Sequence, residues 1–241
     1  MMSLRGLPIV VLLQLIGCTN SSTAYFGTTA PLHDDTILWT NNGSEPEWID
    51  PGKCSESAGS TLVYNLFAGL LQPHPKTLEP MPDIATHWTK SNDGRTYTFF
   101  LRKSTWSDGH PFTAHDLEWS WKRVLDPKTD SRYASFLWSL QNGEAFNRSA
   151  IAIGNLPSNT TTDELQAHIG SSVPIEKIAL EPQANQAFIF LRDNNAQRDA
   201  IKSIQAAPFK GNHLQANVAP RDVVGVKALN NLTLEVKLQN P

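Results

Sequence analysis

The sequence predicts an α/β protein of mixed sheets with flanking helices, and three observations carry that prediction. Two β-rich runs flank Asn92, Asp93 and Gly94, a triplet that supplies the positive-φ positions of a tight hairpin. Apolar residues recur at helical spacing in "GSTLVYNLFAGLL" and again in "AHDLEWSWKRVL", each preceded by a residue able to cap a helix. With 241 residues, 40% of them hydrophobic, the chain is long enough for one or two domains and a sizeable core.

The N-terminus differs from the rest. "MMSLRG" carries one positive charge and leads into "LPIVVLLQLIGC", an apolar run too short to span a bilayer and ending in small residues, the pattern of a secretory signal peptide over residues 1–18. Leu15, Ile16, Gly17 and Cys18 resemble a bacterial lipobox, in which the cysteine is lipidated and becomes the first mature residue; ordinary cleavage near "STAYFG" is the alternative. With Cys18 lipidated or removed, Cys54 stands alone and no disulfide scaffold is possible. Asn-x-Ser/Thr sequons at Asn20, Asn42, Asn147, Asn159 and Asn231 are chance occurrences in a bacterial context.

Residues 19–35 are small and polar and read as a tether, with folding expected from Thr36. "TILWTNNG" is a short strand stopped by a turn signal. In "GSTLVYNLFAGLL", Leu62, Val63, Leu66, Phe67 and Leu70 share a helical face behind Ser60 as N-cap, a face that should pack on a sheet. "DIATHWTKSNDGRTYTFFLRK" is the hairpin, with Trp88, Tyr97 and Phe99 on its strands. "SDGHP" is turn chemistry around Asp108 and Gly109, and Thr113 with Asp116 forms a short-acid capping box that opens a helix running to about Leu125, where Asp126-Pro127 ends it. Leu117, Trp121, Val124 and Leu125 line that helix's inner face, while Trp106, Trp119 and Trp121 are packing residues rather than a cage. Further on, "TTDELQAHIG" is a capped helix and "AFIFL" a strand, so residues 151–222 are folded.

Several function classes drop out at this stage. A net charge of -3 offers no basic surplus for phosphate backbones, so no nucleic-acid partner is expected. His110 and His115 lie five apart across a turn and a helix start, not at the spacing that puts two metal ligands on one helix face, and no HExxH, CxxC or carboxylate triad accompanies them. GxSxG is absent and Cys54 has no histidine motif beside it, so no catalytic centre, metal or cofactor is expected.

The stretch from Glu79 to Leu137, "EPMPDIATHWTKSNDGRTYTFFLRKSTWSDGHPFTAHDLEWSWKRVLDPKTDSRYASFL", resembles the signature region of extracellular solute-binding proteins of the peptide/nickel class, above all the oligopeptide-binding proteins of ABC importers. The resemblance begins at "TNNGSEPEWIDPGK" and returns at "VGVKALNNLTLEVKLQNP", covering a little over half of the chain. It implies a type II periplasmic-binding-protein-like fold, two lobes closing about a hinge over a peptide, and a noncatalytic role. Residues 49–150 would be the smaller subdomain, 151–222 an insertion and 223–241 return strands of the first lobe. Family members are much longer, so the chain is expected to be a truncated gene or a fragment. On that expectation it would not bind peptide usefully by itself, and "LTLEVKL" would lie on an exposed sheet edge with Leu232, Leu234, Val236 and Leu238 short of partners.

By position, the resemblance implies that Ser55, Glu56 and Ser57 form the loop lying against the peptide backbone and that Tyr133 faces the ligand. It further implies an oligopeptide ligand, the inner-membrane permease subunits of an ABC importer as partners, and a monomer in the periplasm or cell envelope, lipid-anchored through Cys18. Nickel chelates or other small solutes on the same scaffold, or a remnant that binds nothing, are the alternatives.

Overall fold

A computed structural model describes residues 43–241. The signal peptide, Cys18, the tether and all but the last residue of the "TILWTNNG" strand lie outside the described residues. In chain order the elements are α1 (Ser57–Leu66), β1 (Leu71–Pro73), β2 (Pro80–Pro82), β3 (Ala85–Lys90), β4 (Thr96–Leu101), β5 (Ser104–Thr105), β6 (Pro111–Phe112) and α2 (Ala114–Leu125). Then follow α3 (Gly143–Asn147), β7 (Ile151–Gly154), α4 (Thr162–Ile169), β8 (Ile175–Glu181), β9 (Gln186–Leu191), α5 (Gln197–Ala206), β10 (Gln215–Val218), β11 (Val226–Asn230) and β12 (Thr233–Lys237). No helix among these residues is long and apolar enough to cross a membrane.

The first four-stranded sheet has the order β11-β12-β4-β3, antiparallel throughout. Its hairpin turns where the Asn-Asp-Gly triplet stands: Gly94 has φ +72° and its N–H donates to the Ser91 carbonyl at 2.9 Å. Alternate residues Phe99, Leu101, Leu234, Val226 and Val236 are buried, and Leu117 and Leu125 of α2 lie in the same core. The capping box holds α2 at its start, with the Asp116 carboxylate accepting from the Thr113 backbone N–H at 2.7 Å. β12 does not lie on an edge. It sits between β11 and β4, and Leu234 is wholly buried, because the strands it needs come from residues 96–101 and 226–230 of this same chain.

α1 departs from its expectation twice. Its N-cap is Glu56, whose carboxylate accepts from the Gly59 N–H at 2.6 Å, rather than Ser60. Its apolar face is not laid on a sheet: Leu66 is 64% and Phe67 42% exposed, and the helix stops at Leu66. The reason lies just beyond, where the carbonyls of Gly69 and Leu70 accept from Ile84 and Ala85 at 3.2 and 3.0 Å and lead the chain into β1.

The second sheet, order β10-β7-β9-β8, is also antiparallel. Together β7-α4-β8-β9-α5-β10 form a β-α-β-β-α-β unit whose strands, counted from its own first, stand 4-1-3-2 across the sheet, the split βαβ arrangement. On one face Ile151, Ile153, Ile189 and Leu191 pack with Leu165 of α4 and Ile204 of α5. On the other, Phe188 and Phe190 are buried with Ala145, Ala150 and Ala219. Arg148 bridges Glu144 at 3.1 Å and Glu176 at 2.6 Å and lies over Phe190, tying α3 to β8. Thr161 and Glu164 cap α4, and the Lys210 ammonium, more than the Thr161 donors, holds the Glu164 carboxyl at about 2.

Candidate functional site

The chain turns at Asp50, whose backbone carbonyl accepts from Lys53 and Cys54 at 3.0 and 2.9 Å. Its carboxylate receives both arms of Arg123 from α2, at 2.8 and 2.5 Å, and the Gly52 N–H at 2.9 Å. The Arg123 guanidinium, foremost, keeps the Asp50 carboxyl below the usual carboxylate range. A side chain at position 52 would bring its Cβ within 2.8 Å of Arg123, so Gly52 is what lets the turn close on the guanidinium. This clamp fixes residues 50–54 on α2 and delivers residues 55–57 to the start of α1.

Tyr133 reaches the same place from the far end of α2. After Asp126-Pro127 the chain makes a single-turn 3-10 helix at Pro127–Thr129, reverses at Asp130 in left-handed backbone (φ 54°), and enters a second 3-10 helix at Ala134–Ser139. Tyr133 stands at its start and its hydroxyl donates to the Ser55 carbonyl at 3.1 Å. Arg132 reaches the Ser55 hydroxyl at 3.4 Å and Glu47 at 3.7 Å. Phe136, 72% exposed, lies beside Tyr133 with ring centroids 5.2 Å apart.

All four residues singled out from the sequence, Ser55, Glu56, Ser57 and Tyr133, line one open groove of about 540 Å³. Glu56 enters it with its carboxylate already engaged, one oxygen on Gly59 and the other accepting from the Glu47 N–H at 3.3 Å, so its role is to hold the helix start. Sequence reasoning missed Ser60, Thr61, Tyr64 and Asn65, which complete the wall from α1. The available signal was helical spacing: Ser57, Thr61, Tyr64 and Asn65 recur at i, i+4, i+7 and i+8 on the face away from Leu62 and Val63. Hydroxyls and a carboxamide dominate the lining, a surface suited to hydrogen bonding with neutral main-chain groups.

His110 and Asp108 pair at 3.2 Å on the surface, and the Asp108 carboxylate also accepts the His110 N–H at 2.9 Å, as a turn-forming aspartate does. Among the described residues, no group of three or more His, Cys, Asp or Glu side chains is placed to hold a metal ion.

Comparison with known proteins places this architecture. Residues 79–241 match the family model described as bacterial extracellular solute-binding proteins, family 5 Middle. The periplasmic oligopeptide-binding protein OppA of Salmonella typhimurium is 38% identical over 149 residues, 61% of this chain and 26% of the relative. The dipeptide-binding protein DppE of Bacillus subtilis is 35% identical over 146 residues, 59% of this chain and 27% of the relative. The chain thus spans about a quarter of the length of the curated relatives it matches. Among solved structures, the complex of Haemophilus influenzae OppA with the peptide RPPGFSPFR superposes with a TM-score of 0.50 at 24% identity, covering 83% of this chain and 26% of that one. The fold is therefore part of a type II periplasmic-binding-protein-like architecture. With the model matched over more than half of its length, the chain belongs to the bacterial extracellular solute-binding proteins of family 5.

Proposed function

We propose that the protein captures oligopeptides outside the cytoplasmic membrane and presents them to the permease of an ABC importer, held at the membrane by lipid on Cys18. The observation that carries the reading is the junction of Tyr133 and Ser55, which joins two stretches far apart in sequence into one groove of neutral donors and acceptors. Such a wall suits an extended peptide, whose main chain forms hydrogen bonds while its side chains are read loosely. The named ligand classes of the relatives, oligopeptide and dipeptide, support the same class here. The role is noncatalytic, and Ser55, Ser57 and Tyr133 are its contact residues.

Because the groove is open to one side, peptide affinity of this chain on its own is expected to be weak, with a Kd on the order of 1 mM, about −4 kcal/mol. Titration of the full chain with a mixed tri- to pentapeptide pool, followed by amide chemical shifts, should give saturable changes at residues 55–57, 61, 64 and 133. Tyr133→Ala should abolish them. Shifts scattered over the surface, or an unchanged response in Tyr133→Ala, would refute the site. For the anchor, Cys18→Ser should move the protein from membrane to soluble fraction; retention at the membrane would refute lipidation.

A further inference from the structure

At its Tyr133 end the groove meets a cation. Arg132 and Tyr133 are neighbours in the chain, and their side chains converge on one residue: the Tyr133 hydroxyl donates to the Ser55 carbonyl at 3.1 Å, and the Arg132 guanidinium reaches the Ser55 hydroxyl at 3.4 Å. Ser55 lines the groove, so the guanidinium stands at its rim. Of the lining residues only Glu56 is charged, and its two oxygens are occupied by the N–H groups of Gly59 and Glu47, at 2.6 and 3.3 Å. Arg132 is held loosely by comparison. Its side chain is 68% exposed, and the carboxylate paired with it, that of Glu47, is 50% exposed and stands at 3.7 Å, beyond hydrogen-bond reach.

A guanidinium presents its N–H donors as a planar fork that fits both oxygens of a carboxylate. Here one nitrogen meets a hydroxyl and another faces Glu47 across a gap too long for a hydrogen bond, and the fork has no further protein acceptor among the described residues. Glu47 thus marks the place of a carboxylate without filling it. Its backbone N–H is tied to Glu56, so the main chain stays in position whichever way its side chain turns. We infer that Arg132 gives the groove a preference for peptides that bring a carboxylate, terminal or of a side chain, to its Tyr133 end, where that group takes the place of Glu47. The inference rests on the peptide-binding role proposed above: the neutral wall of α1 receives main chain, and Arg132 adds one charged selection to it. An ion pair this exposed discriminates only a few-fold and is screened by salt.

The test titrates the full chain at low salt, reading amide shifts at the groove residues. Acetyl-tetraalanine amide is the neutral reference. Against it stand acetyl-tetraalanine with a free C-terminus and a set of acetylated, amidated tetrapeptides carrying one glutamate at each position in turn, with glutamine in its place as control. At least one carboxylate peptide should bind about fivefold more tightly than its neutral counterpart, and which one does so assigns the carboxylate to the chain end or to a side chain. That ratio should fall to about 1 in Arg132→Gln and in about 1 M sodium chloride, and should rise about twofold in Glu47→Gln, which removes the competing carboxylate. Saturable binding of the neutral peptide with no gain from any carboxylate, or a gain that survives Arg132→Gln, would overturn the role of Arg132 and leave the peptide groove standing. No saturable shift with any of the peptides would overturn the groove and this inference together.

Discussion

Asp116 shows how a carboxylate in a crowded stretch can be structural. Its oxygen accepts from both the backbone N–H and the hydroxyl of Thr113, at 2.7 and 2.9 Å, where the helix dipole favours negative charge. Asp116→Asn is expected to cost about 1 kcal/mol in urea unfolding and to leave ligand titrations unchanged. Asp50 makes a different prediction. Its folded carboxyl titrates below the unfolded value of about 3.9, chiefly because of the Arg123 hydrogen bonds. The pair therefore contributes fully above about pH 4 and is lost as pH falls through the lowered folded value, a contribution of ~1 kcal/mol for a pair whose side chains are 31% and 29% exposed. Stability measured between about pH 6 and pH 3 should fall less steeply in Asp50→Asn than in the unaltered chain. Equal slopes would mean the clamp does not form in solution.

At the scale of elements, β12 is where the first sheet is most vulnerable. Leu234 is wholly buried between strands on both sides, so Leu234→Ala should cost about 2–5 kcal/mol, measured by denaturant midpoint. Leu66→Gln on α1, where the residue already faces water, should shift stability by less than about 0.5 kcal/mol. The contrast marks what could be read beforehand. The hairpin, the extent of α2 and the cap of α4 follow from local chemistry: a left-handed turn, a capping box, a proline stop. The place of β12 and the early end of α1 depend on partners remote in sequence, Phe99 for Leu234 and Ile84 for the Gly69 carbonyl, and periodicity carries no record of them. The groove was half legible for the same reason. Its loop residues carry a family pattern, whereas its α1 wall is visible only once the helix is oriented.

At the scale of the whole molecule, the β-α-β-β-α-β unit is joined to its host at neighbouring points. Ile151 stands opposite Val218, and the Ala219 N–H donates to the Ala150 carbonyl at 2.7 Å. The apolar host side of the contact is small, made by Ala145, Ala150 and Ala219 with Val223 beside them, while the large residues Phe188 and Phe190 belong to the unit; Arg148 and Glu144 of the host add ion pairs to Glu176 and Lys177. We therefore propose that residues 151–218 are a removable insertion. A variant joining Ala150 to Ala219 through a short turn should keep cooperative unfolding of the remaining sheet, with a smaller m-value because less surface is exposed on unfolding. A non-cooperative transition would show that the host depends on the unit.

The meeting of those two ends also bears on the order in which the chain acquires its shape. Phe100 of β4 must find Thr233 of β12, and residues 151–218 make up about half of the chain between them. Once Ile151 and Val218 are paired, the stretch they enclose no longer adds to the loop, and each halving of effective loop length recovers about 0.6 kcal/mol of closure entropy. The unit is thus placed to act as a chaperoning knot for its own host. In pulsed hydrogen exchange during refolding, amides of β7 and β10 should gain protection before those of β12, and the reverse order would show that the host sheet closes without its help.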